Sequence, residues 1–320
     1  MVYADAMNTA PTGREPYTPV RIKKISVTER ADFRKCRRRW FLSDVHRLQG
    51  PGSAMYYLFG TAMHTALETY HTKSAKIAFR DLDTLKAFDD AWDVAEAKAT
   101  EELGFLWENV RADWIAHRDL GQQMLKGYFA ADAKAGFDYP DLGRALEVEK
   151  RFTVRIPGTN GKLTGKLDLI SSHGEETWGV DHKNLASTHS SAQLDLDDQL
   201  TAYAWIYLEA TGDMLDAVVY NVLLKKLPVS EKTGKPTTST LFVRDVTTRS
   251  VAQLDQFATY LREECTDMRT VALHPERAYP NPSQFNCSGC PVRSICVAMM
   301  NEEDVEDVIL AGYRIGEERE

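Results

Sequence analysis

The sequence of 320 residues lacks the features that mark membrane, secreted and disordered proteins. It contains no run of about eighteen apolar residues, which excludes a membrane-spanning helix. Its five cysteines are too few for a disulfide framework in a chain of this length. Residues 1–20 show no basic stretch followed by an apolar core, so they do not form a secretory signal. We therefore expect a cytoplasmic, globular protein that does not bind membranes.

The net charge of −8 is distributed unevenly along the chain. The stretch 21–39 holds nine basic and two acidic residues, and the stretch 301–320 holds eight acidic and two basic ones. A basic stretch of this density is typical either of a phosphate-binding face or of a solvated helix surface. The candidate DNA-binding residues within it are Arg34, Lys35, Arg37, Arg38 and Arg39.

Periodicity predicts an α/β protein with a mixed central β-sheet flanked by helices. A first helix is expected from Ser26 or Thr28 through Cys36 to Phe41, a second from about 54 to 75, and residues 82–135 are predicted to be rich in helix. An Asn160-Gly161 turn between two alternating runs indicates a hairpin. The predicted regions are a flexible arm at 1–20, a helical region at 21–138, a core at 139–275, a cysteine segment at 276–300 and an acidic tail at 301–320.

Three charged residues fall within predicted strands. Asp168 lies in an apolar strand, and Asp181 and Lys183 lie two residues apart on the next one, so the latter two share a face. A buried carboxylate needs a partner, and a cation is the natural one. If the strands are neighbours, the two carboxylates supply oxygen ligands for Mg²⁺ or Mn²⁺, and the lysine can orient a water molecule. The simpler alternative is a structural ion pair.

Further polar residues accompany these acids. Gln199 and Tyr203 share a helix face one turn apart and can reach the same site, although the motif taken alone favours a capping glutamine and a core tyrosine. His64 follows Gly60 on an earlier predicted helix and is either a ligand or part of a surface polar row. Glu149, on the first predicted strand, points either at the site or at solvent.

Three cysteines form a cluster in a turn rich in proline and glycine. Cys287, Cys290 and Cys296 have the spacing C-x₂-C-x₅-C, which in a reducing compartment indicates a metal site. The fourth thiolate must come from Cys36 or Cys265. Four thiolates suit either structural Zn²⁺ or a [4Fe–4S] cluster.

Taken together, these residues resemble the iron–sulfur members of the RecB-like branch of the PD-(D/E)xK nucleases, which include the AddB nuclease domain and the CRISPR-associated exonucleases. The resemblance covers residues 26–300, and the order of six motifs carries it. The motifs are Cys36-Arg37-Arg38-Arg39-Trp40, the G-x-x-x-H from Gly60 to His64, the G-x-x-D from Gly165 to Asp168, the D-x-K from Asp181 to Lys183, the Q-x-x-x-Y from Gln199 to Tyr203, and the cysteine triplet.

The resemblance implies a restriction-endonuclease-like core and assigns roles to these residues. It implies that the catalytic residues are Asp168, Asp181, Lys183, Gln199 and Tyr203. It implies that the metal ligands are His64, Asp168, Asp181 and the backbone carbonyl of His182. It implies that a [4Fe–4S] cluster is held by Cys36, Cys287, Cys290 and Cys296. Many members carry glutamate where this chain has Asp181, which leaves the type of ligand unchanged.

The function implied is a metal-dependent DNA nuclease, an exonuclease on single-stranded or end-processed DNA in recombination or repair. The sequence lacks the pattern G-x-x-x-x-G-K-[ST], so any helicase or recombinase partner must be another chain. Two alternatives belong to other classes. One is a non-catalytic DNA-end-binding subunit with the same fold, and the other is a zinc-stapled protein whose cysteines serve folding only.

Overall fold

The computed structural model describes residues 22–50, 54–72, 77–103, 107–136, 140–187, 191–226 and 241–316. The predicted flexible arm at 1–20 and the last four residues of the predicted tail lie outside this range. Within the described residues, no helix is long and apolar enough to cross a membrane.

Helices account for most of the regular structure. In chain order they are α1 Val27–Lys35, α2 Arg37–Trp40, α3 Ala54–Thr72, α4 Ile77–Leu103, α5 Trp107–Asp132, α6 Ser191–Leu194, α7 Asp198–Thr211, α8 Val251–Leu273, α9 Gln284–Cys287, α10 Arg293–Asn301 and α11 Val305–Gly312. The strands are β1 Lys24–Ser26, β2 Leu48–Gln49, β3 Arg144–Arg155, β4 Lys162–His173, β5 Glu176–Leu185, β6 Ala217–Leu224, β7 Phe242–Thr247 and β8 Arg314–Ile315.

The chain forms two compact units. Unit 1 comprises residues 1–53, 153–165 and 255–320, and unit 2 comprises residues 54–152 and 166–254. Strands β3 and β4 begin in one unit and end in the other.

Unit 2 contains the mixed sheet that the sequence predicts. Strand β4 pairs with β3 and runs antiparallel to β5, β5 runs parallel to β6, and β6 runs antiparallel to β7. Every residue of β6 is buried, as expected for a central strand with packed faces. Aromatic side chains dominate the core that α3, α4 and α5 build beside the sheet, among them Phe59, Phe88, Trp92 and Trp114. The prediction of a mixed sheet flanked by helices is therefore confirmed.

Unit 1 is organised around α1 and α8. Helix α1 begins with a capping box in which the Ser26 hydroxyl accepts from the Glu29 N–H and the Glu29 carboxylate accepts from the Ser26 N–H. The guanidinium of Arg30, fully buried on α1, donates to Glu264 on α8 at 2.5 Å and lies 4.7 Å from the centre of the Phe257 ring. Strand β1 pairs in parallel with Lys162–Thr164, the first residues of β4.

The first helix is not continuous, contrary to the prediction. Cys36 is extended, with φ −165° and ψ 116°, and separates α1 from α2. Its N–H still bonds to the Asp32 carbonyl, so α1 ends without an orphaned donor at this residue. Helical periodicity continues across the break, which is why the sequence predicts one helix where the structure has two.

Helices α6 and α7 are separate, although the periodicity of the sequence predicts one helix from about 192 to 210. Asp197 caps α7 by accepting from the Leu200 N–H at 2.8 Å. Arg249, whose guanidinium donates to the Leu194 carbonyl at 2.6 Å, satisfies an acceptor at the end of α6. The break therefore has its own hydrogen-bond partners, supplied by a residue far along the chain.

The predicted hairpin between β3 and β4 is present, with a longer turn than Asn160-Gly161 alone. The Ile156 N–H bonds to the Gly161 carbonyl at 3.0 Å, so four residues lie between them. Gly158, with φ +72°, takes the left-handed position that an L residue would occupy with strain.

Candidate active site

Two buried aspartates lie on neighbouring strands of unit 2. Asp168 on β4 and Asp181 on β5 are 5% and 3% exposed, respectively. The antiparallel pairing of these strands, with Leu169 opposite Val180, brings the two residues together as the sequence predicts. The Asp168 carboxylate accepts the His182 backbone N–H at 2.7 Å, which fixes its orientation.

Lys183, Gln199 and Tyr203 form a polar chain around Asp181. Lys183 Nζ lies 2.7 Å from Asp181 Oδ2 and donates to Gln199 Oε1 at 2.9 Å. The Gln199 amide donates to Asp181 Oδ1 at 3.3 Å and to the Tyr203 hydroxyl at 2.8 Å. Asp181 Oδ2 is buried and receives no well-angled hydrogen bond, although the lysine ion pair is close. This carboxylate oxygen therefore retains a lone pair for a further ligand.

His64, on α3, faces a second carboxylate group. Its Nδ1 lies 3.4 Å from Asp168 Oδ1 and 3.9 Å from Glu149 Oε1, and one ligand atom from each of the three residues lies within 4.8 Å of the others. Glu149 also forms an ion pair with Lys166. Asp181 is not a member of this group, so the structure brings together only part of the ligand set that the resemblance implies.

The electrostatics of the site follow from these distances. Burial lowers the pKa of His64, but contacts with Asp168 and Glu149 outweigh it and raise this pKa to about 10. Burial opposes ionisation of Asp168, but His64 and the His182 N–H lower its pKa to about 2. Burial raises the pKa of Asp181 to about 6, against the attraction of Lys183. A site that carries several charges in a buried setting is typical of function rather than of stability.

The side chain of His182 faces a buried polar network rather than the acids. Its Nδ1 accepts from the Asn221 amide at 2.8 Å, and Asn221 Oδ1 accepts from Arg244 at 3.1 Å. Arg244 also donates to the Tyr128 hydroxyl and to Asp132, at 2.9 and 2.5 Å. Burial is the largest cause that lowers the pKa of His182 well below its usual value. Its imidazole is thus engaged on one nitrogen, and the role of its backbone carbonyl as a ligand stays a prediction.

The donors present fit a divalent cation. Carboxylate oxygens are the preferred ligands of Mg²⁺ and suit Mn²⁺, and an imidazole nitrogen adds a borderline donor that Mn²⁺ accepts. The open acceptor on Asp181 and the group of His64, Glu149 and Asp168 supply such donors within unit 2.

The predicted cluster cysteines all lie in unit 1. Cys36 Sγ accepts from the Asn281 N–H at 3.4 Å, and Arg38 Nη1 lies 3.8 Å from Cys296 Sγ. Burial raises the pKa of the Cys290 thiol, as do the nearby Cys36 and Cys296, whereas Arg39 lowers it. Cys290 therefore lies near Cys36 and Cys296, but among the described residues the cysteines do not form a group of three ligand atoms within 4.8 Å of one another, as His64, Glu149 and Asp168 do. Cys265 is buried within α8.

The predicted DNA-binding arginines have protein partners. Arg34 bonds to Glu264 at 2.5 Å, Arg37 to Asp267 at 3.1 Å and Arg39 to Asp32 at 2.8 Å. Arg38 is buried and donates to the Ala278 carbonyl at 3.3 Å. Lys35 is half-buried at the end of α1. These contacts give the stretch a structural role, and DNA binding by it stays a prediction.

Two residues near the acids were not assigned roles from the sequence. Glu149 was ambiguous because strand alternation cannot show which side faces the site when the backbone departs from the strand conformation, as it does here with φ 51°. Lys166 lies two residues before Asp168 and therefore on the same strand face, which is the signal that could have identified it.

The sequence matches a family model over most of its length. Residues 24–297 match the PD-(D/E)XK nuclease superfamily, and the chain belongs to that superfamily. Its members usually use divalent metal ions. A search of the curated proteins gives no match.

A solved structure described as "Crystal structure of SSO0001" is similar to this chain at 12% sequence identity. The match covers 78% of this chain and 98% of that one, with a TM-score of 0.31. This likeness is too weak to support a conclusion about fold or activity.

Proposed function

We propose that this nuclease is a metal-dependent deoxyribonuclease of the RecB-like branch, which acts on single-stranded or end-processed DNA during recombination or repair. The convergence of Asp168, Asp181 and Lys183 on two paired strands is the observation that carries the proposal. A structural ion pair would need one carboxylate for one lysine. Here the same region of unit 2 holds more than one pair, because His64 lies beside Asp168 and Lys166 pairs with Glu149.

His64, Asp168 and Asp181 would hold a divalent cation, together with the His182 carbonyl. When bound, this cation polarises the scissile phosphate and lowers the pKa of an attacking water molecule. The short bond from the His182 N–H keeps Asp168 in one orientation, so that its ligand oxygen is positioned in advance.

Lys183 and its partners act on the water and on the phosphate. The ammonium of Lys183 orients the attacking water and offsets the negative charge that develops on the phosphoryl oxygens. Gln199 holds this ammonium at 2.9 Å and is itself held by Tyr203, so the polar chain fixes the lysine near Asp181. Water attacks phosphorus and loses a proton to solvent or a basic group. The P–O bond to the leaving nucleotide breaks, and the leaving oxygen takes up a proton from solvent to give a hydroxyl group.

The cysteines support placing the chain in the iron–sulfur branch. Cys36, Cys287, Cys290 and Cys296 would bind a [4Fe–4S] cluster, and the extended backbone of Cys36 presents its thiol to the Cys-containing segment. Arg38 and Arg39 lie close enough to stabilise thiolates.

Iron and zinc are distinguished by spectroscopy and metal analysis. Protein purified anaerobically should be brown, absorb near ~400 nm and contain iron, as clusters with four thiolate ligands do. Cys36→Ser should lose this absorption, whereas Cys265→Ser, a buried cysteine within α8, should keep it. Colourless protein with one zinc ion per chain would refute the cluster and leave the nuclease proposal standing.

Cleavage is tested with DNA labelled at either end. Linear single-stranded and double-stranded DNA, and closed circular single strands, are incubated with Mn²⁺, Mg²⁺ or EDTA. We expect metal-dependent loss of linear DNA, no cleavage of circles, and no activity in Asp181→Ala. Glu147→Ala, an exposed carboxylate on β3, is the matched control and should cleave normally. DNA binding without cleavage under any metal would instead support a non-catalytic end-binding subunit.

A further inference from the structure

The backbone of Glu149 is unusual for a residue within a strand. Its φ is 51°, in the left-handed region that L residues other than asparagine and aspartate rarely adopt. A left-handed residue within a strand interrupts the alternation of side chains, as at a β-bulge, and redirects the one that it carries. Such conformations persist where the surroundings determine them, and they concentrate at functional sites.

The redirected carboxylate of Glu149 lies among groups of the candidate site. Its side chain is 14% exposed, its Oε1 lies 3.9 Å from His64 Nδ1, and its other oxygen forms an ion pair with Lys166. Glu147, two residues earlier on the same strand, differs in each respect. Glu147 is 50% exposed and forms an ion pair with Lys150 at 3.1 Å.

Lys166 can leave its ion pair with Glu149 and return to water. Its side chain is 43% exposed, so the ammonium can return to water at little cost, whereas Glu149 is more enclosed. Lys166 and Asp168 are two residues apart on β4 and share a face, so the lysine approaches Glu149 beside the other two members of the group.

We propose that Glu149 is a further metal ligand, beside His64 and Asp168, and that Lys166 is the counter-ion that a divalent cation displaces from it. This inference rests on the proposed function, because it concerns the same metal. Lys166 thereby sets the affinity for the metal. A cation must compete with an ammonium for the Glu149 carboxylate, and removal of that ammonium strengthens binding.

The test is a Mn²⁺ titration of the full chain, followed by electron paramagnetic resonance of the free ion and by calorimetry. Glu149→Gln should weaken binding by about tenfold or more, as expected on loss of a ligand or its close support. Lys166→Gln should strengthen binding by roughly threefold to tenfold, which corresponds to a partly exposed ion pair. Glu147→Gln and Lys150→Gln are the matched controls and should change the affinity less than about twofold.

A double variant separates the proposed exchange from a general change of charge. In a Glu149→Gln background, Lys166→Gln should no longer strengthen Mn²⁺ binding, because its partner is gone. Equal effects of Lys166→Gln in both backgrounds would overturn the counter-ion role, and unchanged affinity in Glu149→Gln would overturn the ligand role. If Asp168→Ala loses both Mn²⁺ binding and cleavage, the proposed nuclease function stands, whichever result the Glu149 and Lys166 variants give. If the unaltered chain binds no Mn²⁺, both the nuclease proposal and the role of Glu149 are refuted.

Discussion

The two units arrange their charges differently. In unit 1 the arginines of the basic stretch are matched by carboxylates, with Arg30 and Arg34 on Glu264 and Arg37 on Asp267. In unit 2 the carboxylates are also paired, Glu149 with Lys166, Asp168 with His64 and Asp181 with Lys183, but these three pairs lie in one region around two adjacent strands. Carboxylates that are gathered in this way offer several ligand atoms to a single cation, whereas pairs that join two helices serve the fold. A dense run of one charge along the sequence is therefore a weaker sign of a site than a few charges brought together by the fold.

The pKa values of two histidines differ between the units in a related way. Burial lowers the pKa of His46, in unit 1, to about 4. Burial acts in the same direction on the half-buried His64, in unit 2, but Asp168 and Glu149 raise its pKa to about 10. The same imidazole is thus held neutral in one unit and charged in the other, and the neighbouring carboxylates make the difference.

The largest effect is expected from removing the lysine of the acidic region. Lys183→Met should reduce cleavage roughly 10²–10⁴-fold, because it removes the group that orients water and offsets developing charge. Lys86→Met removes an ion pair to Asp90 of similar length, 2.6 Å, on the solvent-exposed face of α4 and should leave cleavage unchanged. Initial rates with Mn²⁺, and circular dichroism to confirm folding, measure both. Equal rates in the two variants would contradict the catalytic role of Lys183.

The matched pairs of unit 1 should affect stability instead. Arg30→Met should lower the free energy of unfolding by about 3 kcal/mol, because it breaks a buried pair and leaves Glu264 less compensated. Arg34→Met breaks a pair to the same carboxylate from a side chain that is 39% exposed, and should cost less than about 1 kcal/mol. Urea titrations of both variants measure the difference. Similar costs would show that burial does not decide the strength of these pairs.

The sequence predicted the elements of the site better than their surroundings. Asp168, Asp181 and Lys183 were found because a charge in an apolar strand violates the pattern around it, and the register of two strands was enough to bring them together. Gln199 and Tyr203 were found because helix geometry fixes their spacing.

What the sequence could not show depends on partners distant along the chain. The ion pairs of Arg30 and Arg34 with Glu264 span more than two hundred residues, so a basic helix could be interpreted equally as a phosphate-binding face. The extended conformation of Cys36 and the left-handed one of Glu149 interrupt regular elements without a glycine or proline at either residue. Local propensity carries no signal for such departures, because tertiary contacts determine them.

The effect that separates the two histidines is the response of stability to pH, which is small near pH 7 and grows as the pH falls. The pKa of His46 is about 4 in the folded chain and near its usual 6.5 when unfolded, so the unfolded state binds a proton first as pH falls. His46 therefore costs no stability above pH ~6.5 and destabilises progressively down to pH ~4, by up to about 3 kcal/mol. His46→Phe removes the titration and keeps an aromatic ring against Phe41, whose ring centre lies 4.6 Å away.

Urea titrations at pH 7.0, 5.5 and 4.5, in EDTA to keep metal from the acidic region, compare the two chains. The unaltered chain should lose more stability than His46→Phe over this interval, with the gap widening as pH falls. The slope that remains in the variant belongs to other groups, among them His71, whose pKa burial also lowers to about 4. Parallel pH profiles would show that His46 does not titrate between the two states. In that case only the raised pKa of His64, which its neighbouring carboxylates cause, would still distinguish the two histidines. His64 is the histidine that belongs to the candidate active site.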